Sequence, residues 1–128
     1  MTKSESKIKR FLPYSRQSID QKDIKIISKV LKENLITQGP RVDSFEKKFA
    51  EYVGAKFAVA CATGTAALHL SCQVLKLGPR KNLLTSPITF IATANCAQFV
   101  GADTHFVDID PDTFCISVEA LKKALMKK

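Results

Sequence analysis

The feature that most constrains this chain is an alternation running from Phe57 to Asp108. An apolar stretch near Phe57–Cys61 is followed by a helical pattern from Thr65 to Leu77 and a second apolar stretch at Asn82–Thr85. A further helical pattern runs from about Phe90 to Val100, and a third apolar stretch covers Thr104–Asp108. Gly78-Pro79 and Gly101 punctuate the two helical patterns. Strands and helices alternating through connections this short build right-handed βαβ units, which place helices on the faces of a parallel sheet. In such sheets ligands sit at the carboxyl ends of strands. The segments Thr63–Ala66 and Pro87–Phe90 both follow predicted strands, so they can converge on one ligand.

The chain before and after this alternation is helical in pattern. Ser18-Ile-Asp-Gln21 reads as a capping box, with Ile24, Ile27, Val30 and Leu31 forming an apolar stripe up to about Asn34. Leu35–Gly39 is expected to be a loop. Pro40 then suits a first helical position, Phe45, Phe49 and Val53 recur at helical spacing, and Gly54 marks the stop. Ser117-Val-Glu119 caps a last helix that runs into the terminal lysines. Residues 1–13 are polar and expected to be a flexible leader, with one domain over residues 14–128.

The junction at Thr63-Gly64-Thr65 carries chemistry. A helix that starts directly after a strand aims its unpaired first N–H groups, and the positive end of its dipole, at the space in front of it. An anion there satisfies them. Gly64 removes a Cβ from the approach, and Thr63 and Thr65 add hydroxyls that can cap the helix or bind phosphate oxygens. Neither Gly-x-x-x-x-Gly-Lys-Ser/Thr nor Gly-x-Gly-x-x-Gly occurs, which removes the main support for ATPase and dinucleotide-binding readings.

Size and composition narrow the field further. With 128 residues and 45% hydrophobic content, the chain can bury roughly two-thirds of its unfolded surface in one core. It has no apolar run long enough to span a bilayer and no apolar signal core near Met1, so a cytoplasmic protein without membrane contact is expected. Cys61, Cys72, Cys96 and Cys115 form no Cys-x-x-Cys pair and are expected to behave as small buried hydrophobes. The net charge of +8 comes from lysines scattered over helix faces, without a reading helix or interleaved aromatics, so no nucleic-acid partner is expected.

Three decoys fall away on similar grounds. Asp108, Asp110, Asp112 and Glu119 mimic a calcium loop, but Thr113 stands where the turn needs glycine, Pro111 stiffens the middle and a strand precedes the loop. No metal site is assigned. His69 reads as a surface or interface residue and His105 as structural, and no nucleophile stands in a setting that supports triad chemistry.

Six segments together resemble the DegT family of fold type I, pyridoxal-phosphate-dependent sugar aminotransferases. They are Tyr14-Ser-Arg-Gln-Ser-Ile-Asp20, Ile36-Thr-Gln-Gly-Pro40, Phe45-Glu46, Thr63-Gly-Thr-Ala-Ala-Leu-His-Leu70, Ser86-Pro-Ile-Thr-Phe-Ile-Ala-Thr-Ala-Asn95 and Phe106-Val-Asp-Ile-Asp110. Their order and spacing match the family from Phe11 onward. The resemblance implies an α/β fold, the N-terminal part of a large domain with a mainly parallel sheet and flanking helices. It implies that Gly64, Thr65 and Ala66 hold the phosphate of pyridoxal 5'-phosphate and that Phe90 stacks on its ring. Tyr14, Ile36, Thr37 and Thr63 are implied to face the substrate, a UDP-linked keto-deoxy sugar, with glutamate as amino donor. A homodimer, or a complementary C-terminal half, is the implied partner.

Two departures accompany the resemblance. The family lysine that carries the cofactor as a Schiff base, and the earlier Asp that pairs with the pyridine nitrogen, have no matching context in these 128 residues, so no catalytic residue is assigned. Pro79-Arg-Lys-Asn82 replaces the usual Gly-Asp-Glu turn, which affects a surface connection. A noncatalytic truncated remnant and an α/β module for a phosphorylated ligand are the alternative readings.

Overall fold

A computed structural model describes residues 13–126. The expected leader therefore lies outside the described residues except for Pro13. The chain divides into two compact units, Met1–Phe57 and Ala58–Lys128.

The first unit carries helices α1 (Gln21–Val30) and α2 (Pro40–Val53). The cap of α1 is Asp20, not Ser18: its carboxylate accepts the N–H groups of Lys22 and Asp23, while the Asp23 carboxylate accepts the N–H of Asp20. The capping box is thus built from two acids. Helix α1 ends at Val30, short of Asn34, because Lys32 and Glu33 donate to carbonyls three residues back and tighten the chain into turns. Helix α2 follows the sequence closely. Pro40, which has no N–H to satisfy, starts it, and Gly54 stops it in the left-handed conformation at φ 69°. Phe45 and Phe49, one turn apart on α2, stack with ring centroids 5.7 Å apart.

The second unit contains α3 (Gly64–Val74), β1 (Asn82–Thr85), α4 (Ala92–Gln98), β2 (Asp103–Phe106) and α5 (Val118–Met126). Strands β1 and β2 pair in parallel, Asn82 opposite Asp103 and Thr85 opposite Phe106, with α4 as the crossover between them. This is the predicted βαβ unit. Thr104 ties the crossover to the sheet by donating its hydroxyl to the Ala94 carbonyl at 3.0 Å. Ser117 caps α5 as expected, accepting the Ala120 N–H at 3.2 Å.

The predicted strand at Phe57–Cys61 does not form. A strand exists only as one rail of a hydrogen-bonded ladder, and the described sheet holds β1 and β2 alone. Phe57 and Val59, which suggested it, remain exposed, Val59 at 82%.

The buried residues of the second unit are small: Cys72 on α3, Ala92, Cys96 and Ala97 on α4, then Ala102, Val107 and Thr85. Short side chains let α3 and α4 approach closely. Cys72 meets Cys96, and one turn earlier on α3 the His69 ring meets the Phe99 ring edge-on at 5.5 Å. Among the described residues no large side chain is fully buried.

Candidate functional site

The start of α3 distributes its hydrogen bonds unequally. Thr63 takes the N-cap position with extended backbone, and its hydroxyl accepts the Ala66 N–H at 3.1 Å. The Thr63 carbonyl accepts the Ala67 N–H at 3.0 Å. The latter is the first regular helical bond, so of the N–H groups a helix leaves unpaired at its start the cap satisfies that of Ala66. Those of Gly64 and Thr65 have no acceptor among the described residues, and neither has the Thr65 hydroxyl.

The space in front of those donors is open. A Cβ placed on Gly64 would meet no atom within 4 Å, and the backbone there is not left-handed, so neither internal packing nor φ requires glycine. A glycine that its own fold does not need is consistent with close approach by a ligand. No acidic residue stands in the first turn of α3. Two free N–H groups, one free hydroxyl, a positive helix end and clear space together suit a phosphate dianion. This is a fit for the phosphate of pyridoxal phosphate. The family resemblance implies a place for Ala66 in the same cradle; in the structure the Ala66 N–H is engaged by the Thr63 hydroxyl, and Thr63, implied on the substrate side, serves as the cap.

Phe90 precedes α4 instead of beginning it. The Ser86 hydroxyl accepts the Ile88 N–H at 3.1 Å, and Thr89 and Thr93 share a hydroxyl hydrogen bond at 3.0 Å. These local bonds hold the chain in turns and delay the helix until Ala92. The Phe90 side chain is 73% exposed, which argues against core packing within this unit. No ring contact or hydrogen bond links Phe90 to Thr63–Ala66 among the described residues.

The other expected substrate-side residues lie in the first unit. Tyr14 is fully exposed, and Ile36 and Thr37 sit in the loop between α1 and α2, both exposed. Next to them Gln38 adopts a left-handed backbone at φ 50°, and Glu33 pairs with Arg41 across the loop. Neither was legible in the sequence. A pair eight residues apart falls outside the three- and four-residue spacing by which helical ion pairs are recognised.

The remaining reactive side chains are engaged or dispersed. Cys72 and Cys96 are buried as expected, and burial, followed by the contact with Cys96, pushes the Cys72 thiol up. Cys61 and Cys115 are exposed instead, Cys61 lying two residues before the cap of α3 and Cys115 in a hairpin. His105 is exposed on β2. Asp110 closes its own turn, accepting the N–H groups of Asp112 and Thr113 and the Thr113 hydroxyl. The Thr113 bonds hold its carboxyl below the usual carboxylate range. Among the described residues no three potential ligands are grouped to hold a metal ion, and no helix is long and apolar enough to cross a membrane.

Residues 17–128 match the model of the DegT/DnrJ/EryC1/StrS aminotransferase family. The chain belongs to that family. Among relatives of this DegT-family chain, the spore coat polysaccharide biosynthesis protein SpsC of Bacillus subtilis is 42% identical over 115 residues, covering 90% of this chain and 30% of that protein. The UDP-4-amino-4,6-dideoxy-N-acetyl-beta-L-altrosamine transaminase of Campylobacter jejuni (serotype O:23/36) is 45% identical over 101 residues, covering 79% of this chain and 27% of that protein. A sugar aminotransferase of Streptococcus pneumoniae, Spr1654, matches in structure with a TM-score of 0.80 at 30% identity, over 88% of this chain and 28% of that one. Spr1654 has been solved in apo, PLP and PMP forms. The fold is that of fold type I aminotransferases, and the family's cofactor is pyridoxal phosphate. The DegT-family chain spans about a third or less of the length of these relatives.

Proposed function

We propose that this chain contributes the phosphate cradle and the ring-facing wall of a PLP-dependent aminotransferase acting on a UDP-linked keto-deoxy sugar in amino-sugar biosynthesis, with glutamate as amino donor. The observation that carries this reading is the start of α3, where Gly64 and Thr65 present two N–H groups and a hydroxyl without protein partners. Charge-assisted hydrogen bonds contribute roughly 1.5 to 3 kcal/mol each, enough for three of them to anchor a cofactor by its phosphate. Bound there, pyridoxal phosphate supplies an electron sink and a carbon that takes up and releases an amino group. Phe90 offers an exposed aromatic face for its ring, and Tyr14, Ile36 and Thr37 offer exposed contacts for the sugar nucleotide. The substrate class is the one that the Campylobacter jejuni relative is named for.

Residues 14–128 in this reading are an incomplete large domain of a cytoplasmic enzyme, working as a homodimer or with a complementary C-terminal polypeptide. Two features support the need for more protein: the exposed apolar side chains of Phe57 and Val59, and an apolar groove of about 460 Å³ lined by Val59, Ala67, Leu70, Val74 and Leu75 among others. No lysine here matches the context of the family's Schiff-base lysine, so the chain alone binds the cofactor noncovalently.

Absorbance titration with pyridoxal phosphate and with pyridoxal, followed by borohydride reduction and peptide mapping, tests this. Saturable binding that requires the phosphate, without a stoichiometrically labelled lysine, is the expected result. One fully labelled lysine within residues 1–128 would overturn the assignment of the tether to another polypeptide. Equal affinity for pyridoxal would remove the cradle. Binding of inorganic phosphate and pyridoxal phosphate with the same affinity would favour a general phosphoryl-ligand module over an aminotransferase part.

A further inference from the structure

The loop between α1 and α2 is held in an unusual way. Among the described residues no backbone N–H from Asn34 to Gly39 finds a protein acceptor, so the loop has no internal ladder or turn bond to fix it. It is nevertheless tightly specified at both ends. A Cβ on Gly39 would stand 2.7 Å from the Leu35 carbonyl oxygen and 3.1 Å from the Leu35 Cβ, so the chain doubles back on itself where only glycine fits. Gln38, just before it, adopts φ 50°, a conformation that costs a non-glycine residue energy and persists only where its surroundings impose it.

The Glu33 carboxylate and the Arg41 guanidinium meet across this loop. Arg41 Nε lies 2.9 Å from Glu33 Oε2 and 3.1 Å from Oε1, and Arg41 Nη2 also donates to Oε1, a forked arrangement. Glu33 and Arg41 line a cavity of about 370 Å³ together with Asn34, Leu35, Pro40 and Ser44. Isolated surface ion pairs contribute little as a rule, and forked arginine–carboxylate geometry is the recognised exception. Here the pair bridges the two ends of a segment whose own backbone N–H groups from Asn34 to Gly39 find no protein acceptor among the described residues. Whatever constraint it supplies falls on the loop.

We propose that Glu33 and Arg41 are positioning residues whose ion pair clamps the Leu35–Gly39 loop in the conformation that presents Ile36, Thr37 and Gln38 to a ligand. The clamp deepens the aminotransferase reading, resting on it for the statement that the ligand is the sugar nucleotide. It also has a pH dependence. The hydrogen bond from Arg41, helped by the charges of Arg41 and of Lys29 on α1, holds the Glu33 carboxyl below the ordinary glutamate range. A carboxyl with a depressed folded-state pKa contributes fully above the unfolded value and loses that contribution as pH falls through the folded one. The clamp is therefore closed at neutral pH and opens in acid.

Backbone NMR relaxation on the full chain, without ligand, tests it. In the wild type, Thr37, Gln38 and Gly39 are expected to show order parameters near the rigid value of about 0.85, and in Glu33→Gln to fall below about 0.6 while β1 and β2 stay unchanged. Arg41→Lys keeps the charge but not the fork and should fall between. The charge-reversed double variant Glu33→Arg/Arg41→Glu should recover most of the lost order, which general destabilisation by two substitutions would not do. The wild-type loop should loosen as pH drops below the ordinary glutamate range, and Glu33→Gln should show no such transition. Unchanged order parameters in both single variants, or no recovery in the double variant, overturn the clamp. Because no ligand enters the measurement, its failure leaves the substrate reading standing, and failure of the substrate reading leaves the order parameters untouched.

Discussion

Helices α1 and α3 begin with the same backbone problem and resolve it in opposite ways. At α1, Asp20 accepts two N–H groups and Asp23 returns to the Asp20 N–H, so most of the orphan donors are engaged and two carboxylates stand at the entrance. At α3, the neutral Thr63 hydroxyl accepts one N–H and brings no charge. Gly64 and Thr65 are left with free donors in open space. The helix dipole is a property of both. Cap chemistry therefore decides which helix start can receive an anion, and the sequence difference is Asp-x-x-Asp against Thr-Gly-Thr.

The largest test of this contrast is Thr63→Asp, which gives α3 the charged cap of α1. Aspartate caps helices well, so α3 should form as before by circular dichroism. A carboxylate within about 4 Å of a phosphate costs on the order of 1 kcal/mol in water and about 4 kcal/mol near a protein surface, so pyridoxal phosphate affinity should fall roughly a hundredfold. Unchanged affinity would show that the phosphate binds elsewhere.

The next effect is expected from the cradle itself. Gly64→Val puts a side chain into the open approach, where a Cβ meets no atom within 4 Å, so it should weaken pyridoxal phosphate binding by roughly tens of fold while leaving the unfolding midpoint nearly unchanged. Thr65→Val keeps the N–H and removes one hydroxyl contact, for a loss of about tenfold. If the two variants bind the cofactor as the wild type does, the comparison between α1 and α3 loses its functional meaning.

A smaller change is expected at the ring. Phe90→Leu should weaken binding severalfold, in line with about 0.5 to 1.5 kcal/mol for an aromatic pair, and should shift the bound cofactor's absorption with the fold intact. Loss of folded structure in this variant would assign Phe90 to packing. The smallest effect on binding belongs to the other side of the contrast. Asp20→Ala should cost about 1 kcal/mol of stability in denaturant titrations and leave cofactor affinity alone, because its helix offers nothing to the phosphate.

Features set by adjacent residues were legible in advance. Pro40 starting α2, Gly54 closing it, Ser117 as a cap and Asn82–Thr85 as a strand all depend on the φ, hydrogen-bonding capacity or β preference of the residues themselves. Misreadings arose where two local solutions competed. Asp20 outcompeted Ser18 because its carboxylate serves two N–H groups at once, and the Ser86 and Thr89 hydroxyls kept Phe90 out of α4.

What the sequence by itself determined is the βαβ alternation from Asn82 to Phe106, the family, and the composition of the Thr63–Thr65 turn, since each is written in contiguous residues whose preferences agree. Tertiary structure alone decided the rest. It kept Phe57–Cys61 from being a strand, because a ladder needs a partner that no residue within the segment can supply. It also joined Glu33 to Arg41 across eight residues of chain. Hydrogen bonds are satisfied by whichever group arrives at the right distance, and that arrival is a property of the folded chain.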